Sequence, residues 1–157
     1  MNKDTASELD KLEVAMTAFL RTIKKPEYWE QFKQRAEISI DRPAATILKI
    51  LSEHDCQFQE LVQLLGIEAP AVSRKVHQLE DQGLIIRQPT TDRRVHKLRL
   101  SKQAVNITAR LTMAKRSFLS EVLSNWTSQE KQQLVILLDK LALDMATVLK
   151  TQAEKVN

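Results

Sequence analysis

The sequence predicts a mainly α-helical fold carrying one small β-hairpin, and three observations lead there. Apolar residues recur at helical spacing through most of the 157 positions. One stretch, from His96 to Leu100, alternates with the period of two that marks a strand. Two glycines, four prolines and 43% apolar residues leave little room for linkers or an all-β fold. The length fits one domain, 1–157, with enough residues for a single core.

Thr5-Ala6-Ser7-Glu8 fits a capping box, in which hydroxyl and carboxylate satisfy the first orphan backbone donors of a helix. The helix it opens carries Leu9, Leu12, Met16, Phe19, Leu20 and Ile23. Pro26 interrupts it, and Tyr28, Trp29 and Phe32 form a further helical turn or two. Asp41 then caps a helix that turns Ala44, Ile47, Leu48 and Leu51 inward.

Phe58, Leu61, Val62 and Leu65 repeat at i, i+3, i+4 and i+7, the period of one buried helical face. Gly66 closes that helix, and Gly66-Ile67-Glu68 is a connection short enough for a helix-turn-helix. The second helix starts at about Ala69 with Pro70 in its first turn, where a missing N–H costs nothing. Val72, Val76 and Leu79 share its inner face, so Pro70, Ser73, Arg74, His77 and Gln78 lie on or beside the outer one.

Gly83 stops this helix, and Leu84-Ile85-Ile86 is suited to a strand. In the return strand His96, Leu98 and Leu100 face one side and Val95, Lys97 and Arg99 the other, with a buried, neutral His96 expected. Gln88-Pro89-Thr90-Thr91-Asp92-Arg93-Arg94 reads as the turn between them. From Arg87 to Arg99 five Lys or Arg residues stand against one acid, Asp92, an electrostatic footprint suited to phosphates.

Ser101 can cap a long helix with Ile107, Leu111, Ala114, Phe118 and Val122 on one stripe. Thr127-Ser128-Gln129-Glu130 is a second capping box, opening a last helix with Leu134, Leu137, Leu138, Leu141, Met145 and Val148. The stripes at both chain ends are longer than a small central module covers. A second copy of the chain is the expected partner for them, since contiguous exposed apolar patches are unusual in monomers.

These fragments, in this order, resemble the winged helix-turn-helix of the multiple-antibiotic-resistance-regulator (MarR) family of transcription factors. The resemblance rests on Leu79-Glu80 followed by Gly83-Leu84-Ile85, on Asp92-Arg93-Arg94 and Leu100-Ser101, and on Val72-Ser73-Arg74 within the second helix. Asp92 and Arg94 match the family's Asp-x-Arg wing signature, and the similarity extends from Asp41 to about Leu141. The segment from Arg87 to Asp92 is one residue shorter than is common in the family, and Ala104 stands where Gly is usual.

The resemblance implies a winged helix-turn-helix over 41–100, flanked by dimerising helices over 5–35 and 101–152. It implies a sequence-specific regulator, more often a repressor, acting as a homodimer on double-stranded DNA and modulated by a small-molecule effector. A two-fold dimer would set two such helices about one DNA turn apart, facing successive major grooves of a pseudo-palindrome. On this reading Arg74 and His77 donate to base edges, with Arg74 best suited to guanine, Ser73 and Lys75 position phosphates, and Pro70 and Ala71 contact DNA at the start of the helix. Arg94 reaches the minor groove, Arg93 touches phosphate, and Asp92 orients the wing through an arginine. Tyr28, Trp29 and Phe32 line an effector pocket or serve as core and dimer contacts.

Catalysis and cofactors find little support in the sequence. His54, His77 and His96 show no metal-ligand spacing, and Gly66 and Gly83 are too few for a phosphate-cradling loop. No signal-peptide core follows Met1, and no run approaches the ~20 apolar residues of a membrane span, so the expectation is a cytoplasmic protein. A net charge of +4 points mildly toward an anionic partner. Two alternatives stay open: a metal- or redox-sensing regulator, requiring bound metal or a functional Cys56, and a winged-helix protein-interaction module that does not bind DNA.

Overall fold

Seven helices and three strands follow one another in the computed structural model, which describes residues 3–89 and 96–156, with side chains described for 7–89 and 96–151. They are α1 (Lys3–Lys24), α2 (Pro26–Ala36), α3 (Arg42–Glu53), β1 (Cys56–Gln57), α4 (Phe58–Leu65), α5 (Ala69–Asp81), β2 (Ile85–Pro89), β3 (His96–Leu100), α6 (Lys102–Val122) and α7 (Ser128–Val156). The fold is mainly α with a winged helix-turn-helix at its centre, as the sequence predicts. The chain divides into two compact units, Met1–Arg116 and Ser117–Asn157.

In the first unit α3, α4 and α5 close over the small sheet. Leu48 of α3, Leu61 of α4, Val76 and Leu79 of α5 and Leu98 of β3 form its fully buried centre. Each such side chain contributes about 1.5–3 kcal/mol by leaving water. The sheet is antiparallel in the order β1-β3-β2, with Ile85 opposite Leu100 and Pro89 opposite His96.

Local signals explain the element ends. Asp41 caps α3, its Oδ1 accepting from the Ala44 N–H at 2.8 Å. Gly83 ends α5 at φ +67°, where its N–H reaches Glu80 O and the Leu84 N–H reaches Leu79 O, each at 2.8 Å. That pair of bonds is a Schellman closure, and it turns the chain straight into β2. Ser101 Oγ accepts from the Ala104 N–H at 3.2 Å and starts α6. In the second unit the Thr127–Glu130 box is closed in both directions: the Thr127 N–H donates to Glu130 Oε2 and the Glu130 N–H to Thr127 Oγ1.

The structure departs from the sequence reading in four places. Helix α1 already includes Lys3, so Thr5 lies inside it rather than at its cap. Gln88 and Pro89 belong to β2 rather than the turn; β2 is an edge strand, where proline's missing N–H removes no ladder bond. His96 is exposed, not buried, because β1 reaches only to the rung of Lys97 and the core only to Leu98. Strand β1 itself was not anticipated: two residues are too short to show a period, and Cys56 pairs with Leu98 only once the chain has folded back.

Candidate nucleic-acid interface

Helix α5 is held by its inner face and offers its outer one. Val72, Val76 and Leu79 are buried against the core, which fixes the rotation of the helix about its own axis. Pro70, Arg74, His77 and Gln78 are consequently exposed, while Ala71, Ser73 and Lys75 are half-buried along the flanks. Among the described residues nothing pairs with the Arg74 guanidinium, so five donors stand free on the ridge.

Ser73, Lys75, His77 and Gln78 of α5 are engaged. His77 Nδ1 lies 2.8 Å from the Ser73 carbonyl oxygen and 3.4 Å from Ser73 Oγ. Lys75 Nζ donates to Asp41 Oδ2 and, at 2.8 Å, to Gln78 Oε1. In the free chain Lys75 therefore braces α5 against the start of α3. Burial pushes the Asp41 carboxyl up, but the Lys75 ammonium and the Ala44 N–H outweigh it and hold the group below the usual aspartate range.

The hairpin is less cationic in three dimensions than along the chain. The Arg87 Nε and Nη2 fork onto the Glu80 carboxylate of α5, and Arg99 Nε lies 3.8 Å from Asp55. Lys97 stays exposed. Asp92, Arg93 and Arg94, the expected wing residues, lie outside the described residues. The Glu80–Arg87 fork also couples the contact helix to the base of the hairpin, a link that a separation of seven positions conceals in the sequence.

The sequence shows only part of a second feature. Helices α2, α3 and α6 enclose a cavity of about 380 Å³ lined by Tyr28, Trp29, Phe32, Arg42, Lys49 and Lys115, among others. Tyr28 and Phe32 meet edge to face with ring centroids 4.9 Å apart, and the Arg42 guanidinium lies 5.8 Å from the Tyr28 ring centre. Arg42 also donates to the Ile23 carbonyl at the end of α1, and Lys49 pairs with Glu53 at 3.1 Å. Burial first, then the Lys49 and Arg42 charges, push the Lys115 ammonium below the ordinary lysine range. The Trp29 indole N–H is buried without an acceptor among the described residues. Three cations and an unpaired donor around an aromatic wall suit an anion. The aromatic triplet had been singled out in the sequence, but its cationic partners come from positions 42, 49 and 115 and share no motif.

Cys56 is fully buried, and burial followed by the charges of Glu60 and Asp55 raises its thiol pKa. A thiol held protonated is a poor nucleophile. No grouping of three or more His, Cys, Asp or Glu that could hold a metal occurs among the described residues. No helix of the described residues is long and apolar enough to cross a membrane.

The sequence model of the MarR family matches residues 38–94, from the approach to α3 past β2 and short of β3. Residues 38–94 are thus similar to the MarR family. Solved structures place the rest of the chain in the same fold. A MarR family protein from Bacillus stearothermophilus superposes with a TM-score of 0.74 at 24% identity, covering 93% of this chain and 99% of that one. The transcriptional regulator BldR from Sulfolobus solfataricus gives 0.62 at 20% identity over 90% and 99%. Wild-type MarR from E. coli in its apo form gives 0.61 at 20% identity over 71% and 86%. The MarR fold thus extends beyond residues 38–94 to the helices on either side.

Proposed function

We propose that this protein is a sequence-specific DNA-binding transcriptional regulator that acts as a homodimeric repressor on a pseudo-palindromic operator. The observation that carries the reading is the outer face of α5, where Arg74 and His77 stand exposed on a helix whose orientation Val72, Val76 and Leu79 lock. Such a helix fits the major groove, with Arg74 suited to the guanine edge. Pro70, Ala71 and Ser73 bring the helix start to the backbone. Lys75 acts through Asp41 as a brace. Arg93 and Arg94 at the hairpin tip serve phosphate and minor groove, with Asp92 orienting them.

Dimerisation is supported by apolar surface left uncovered within each unit. Leu9, Leu12, Phe19 and Leu20 of α1 are exposed, and so are Val135, Ile136, Leu137, Leu138, Leu143 and Leu149 of α7. The effector is a small anion with an aromatic or apolar body, seated in the α2–α3–α6 cavity. Because Arg42 of that cavity directly follows Asp41, a ligand that prefers one placement of the α3 start would shift the population of α5 placements.

The deciding experiment selects duplexes from a random pool with wild type, Arg74→Ala and Arg94→Ala at two salt concentrations. Enrichment of a pseudo-palindrome by wild type, weakening in both variants and a steep salt slope are expected. Absence of any enriched sequence would sink the proposal and favour a protein-interaction module.

A further inference from the structure

The hydrogen bond inside α5 restricts what His77 can read. The Ser73 carbonyl oxygen 2.8 Å from Nδ1 can only accept, so Nδ1 carries the proton. In the neutral ring the remaining nitrogen, Nε2, is then a bare lone pair. It lies across the ring from the carbonyl, and the side chain is exposed on the outer face of the helix.

We propose that His77 is a specificity-determining residue that reads an exocyclic amine, adenine N6 or cytosine N4, by accepting a hydrogen bond at Nε2. The inference rests on the DNA-reading role proposed above and gives that face a defined polarity. Guanine presents only acceptors, N7 and O6, along its major-groove edge, so it faces the Nε2 lone pair with no proton to share. Arg74, three residues earlier, has the opposite character and only donates. Side chains three apart on a helix are separated by about 5–6 Å, one to two base-pair steps. Each half-site is therefore expected to hold a guanine for Arg74 and, one or two pairs away, an adenine or cytosine for His77. Ser73 fixes this polarity through its main chain, so a change of its side chain leaves it intact.

Three measurements test this. Nitrogen NMR of the free protein at about pH 8, where an ordinary imidazole is neutral, reads the tautomer directly, and the Nδ1-protonated form is expected. An Nε2-protonated ring overturns the proposal whatever the DNA result. Duplex selection with wild type and His77→Ala should return the same palindrome and the same Arg74 dependence, with one position per half-site relaxed from adenine or cytosine to any base. Replacing the amine-bearing base there by its analogue lacking the amine should weaken wild type about fivefold, the worth of one neutral hydrogen bond, and leave His77→Ala unchanged. A relaxed position that prefers guanine or thymine, or equal loss in both proteins, refutes the assignment. If wild type enriches nothing, the regulator reading itself fails and takes this inference with it, whereas enrichment without a His77-dependent position removes only the inference.

Discussion

Asp41 does two jobs with two oxygens, capping α3 through Oδ1 and holding Lys75 of α5 through Oδ2. Its native pKa is lowered, so the folded state resists protonation more than the unfolded chain does. The resulting stability is present above the unfolded aspartate value of about 4 and is lost as pH falls through the lower native value. Asp41→Asn should flatten the acid limb of stability, read as urea midpoints against pH, and cost about 1 kcal/mol near neutrality through the weakened cap. Two left-handed residues make an opposed pair. Gly83 sits at φ +67° with open space where a Cβ would stand, so Gly83→Ala should cost about 1–2 kcal/mol from backbone strain alone. Glu37 adopts φ 50° while closing α2, and Glu37→Gly should be neutral or stabilising by up to about 1 kcal/mol in thermal unfolding. A gain at Gly83 or a clear loss at Glu37 would contradict that account.

At the scale of elements, α5 is set by its buried stripe and trimmed by two ion pairs, Lys75 with Asp41 and Arg87 with Glu80. Both are partly exposed and worth at most about 1 kcal/mol each, so they aim the helix rather than hold the fold. Lys75→Gln is therefore expected to leave the salt dependence of DNA binding unchanged. A fall of about 0.9 in the log–log slope would instead identify Lys75 as a phosphate contact. Leu61 bears on stability itself: it is wholly buried between the helices, and Leu61→Ala should cost about 2–5 kcal/mol in urea unfolding. The helices and the hairpin were legible because each carries its own period and stop signal, Gly66 and Gly83 among them. The hairpin was misjudged at Pro89 and His96, where strand membership and burial depend on what lies alongside rather than on the residue.

For the whole molecule, the uncovered faces of α1 and α7 matter most. Leu138→Glu should keep the helical content, shift sedimentation toward monomer and abolish palindrome binding, if a second copy covers α7. An unchanged dimer would exclude Leu138 from the interface. The cavity makes a separate forecast: Trp29 emission should respond to a small aromatic carboxylate, and Lys115→Gln should weaken that response severalfold. Its aromatic wall was visible at positions 28, 29 and 32, but its charge was not, because the three cations converge only when α3 and α6 fold around α2.

What the sequence determined by itself is therefore most of what local physics sets, the box at Thr5 excepted. Helical stripes, the cap at Asp41, the box at Thr127 and the glycine closures were readable because their partners lie within about four residues. The tertiary structure alone decided which charges remain free. Lys75 is claimed by a carboxylate 34 positions away and Arg87 by one 7 away. Arg74 keeps its donors because the buried face of α5 turns it outward. A charge in a sequence becomes a contact or a counter-ion only when folding chooses its neighbours.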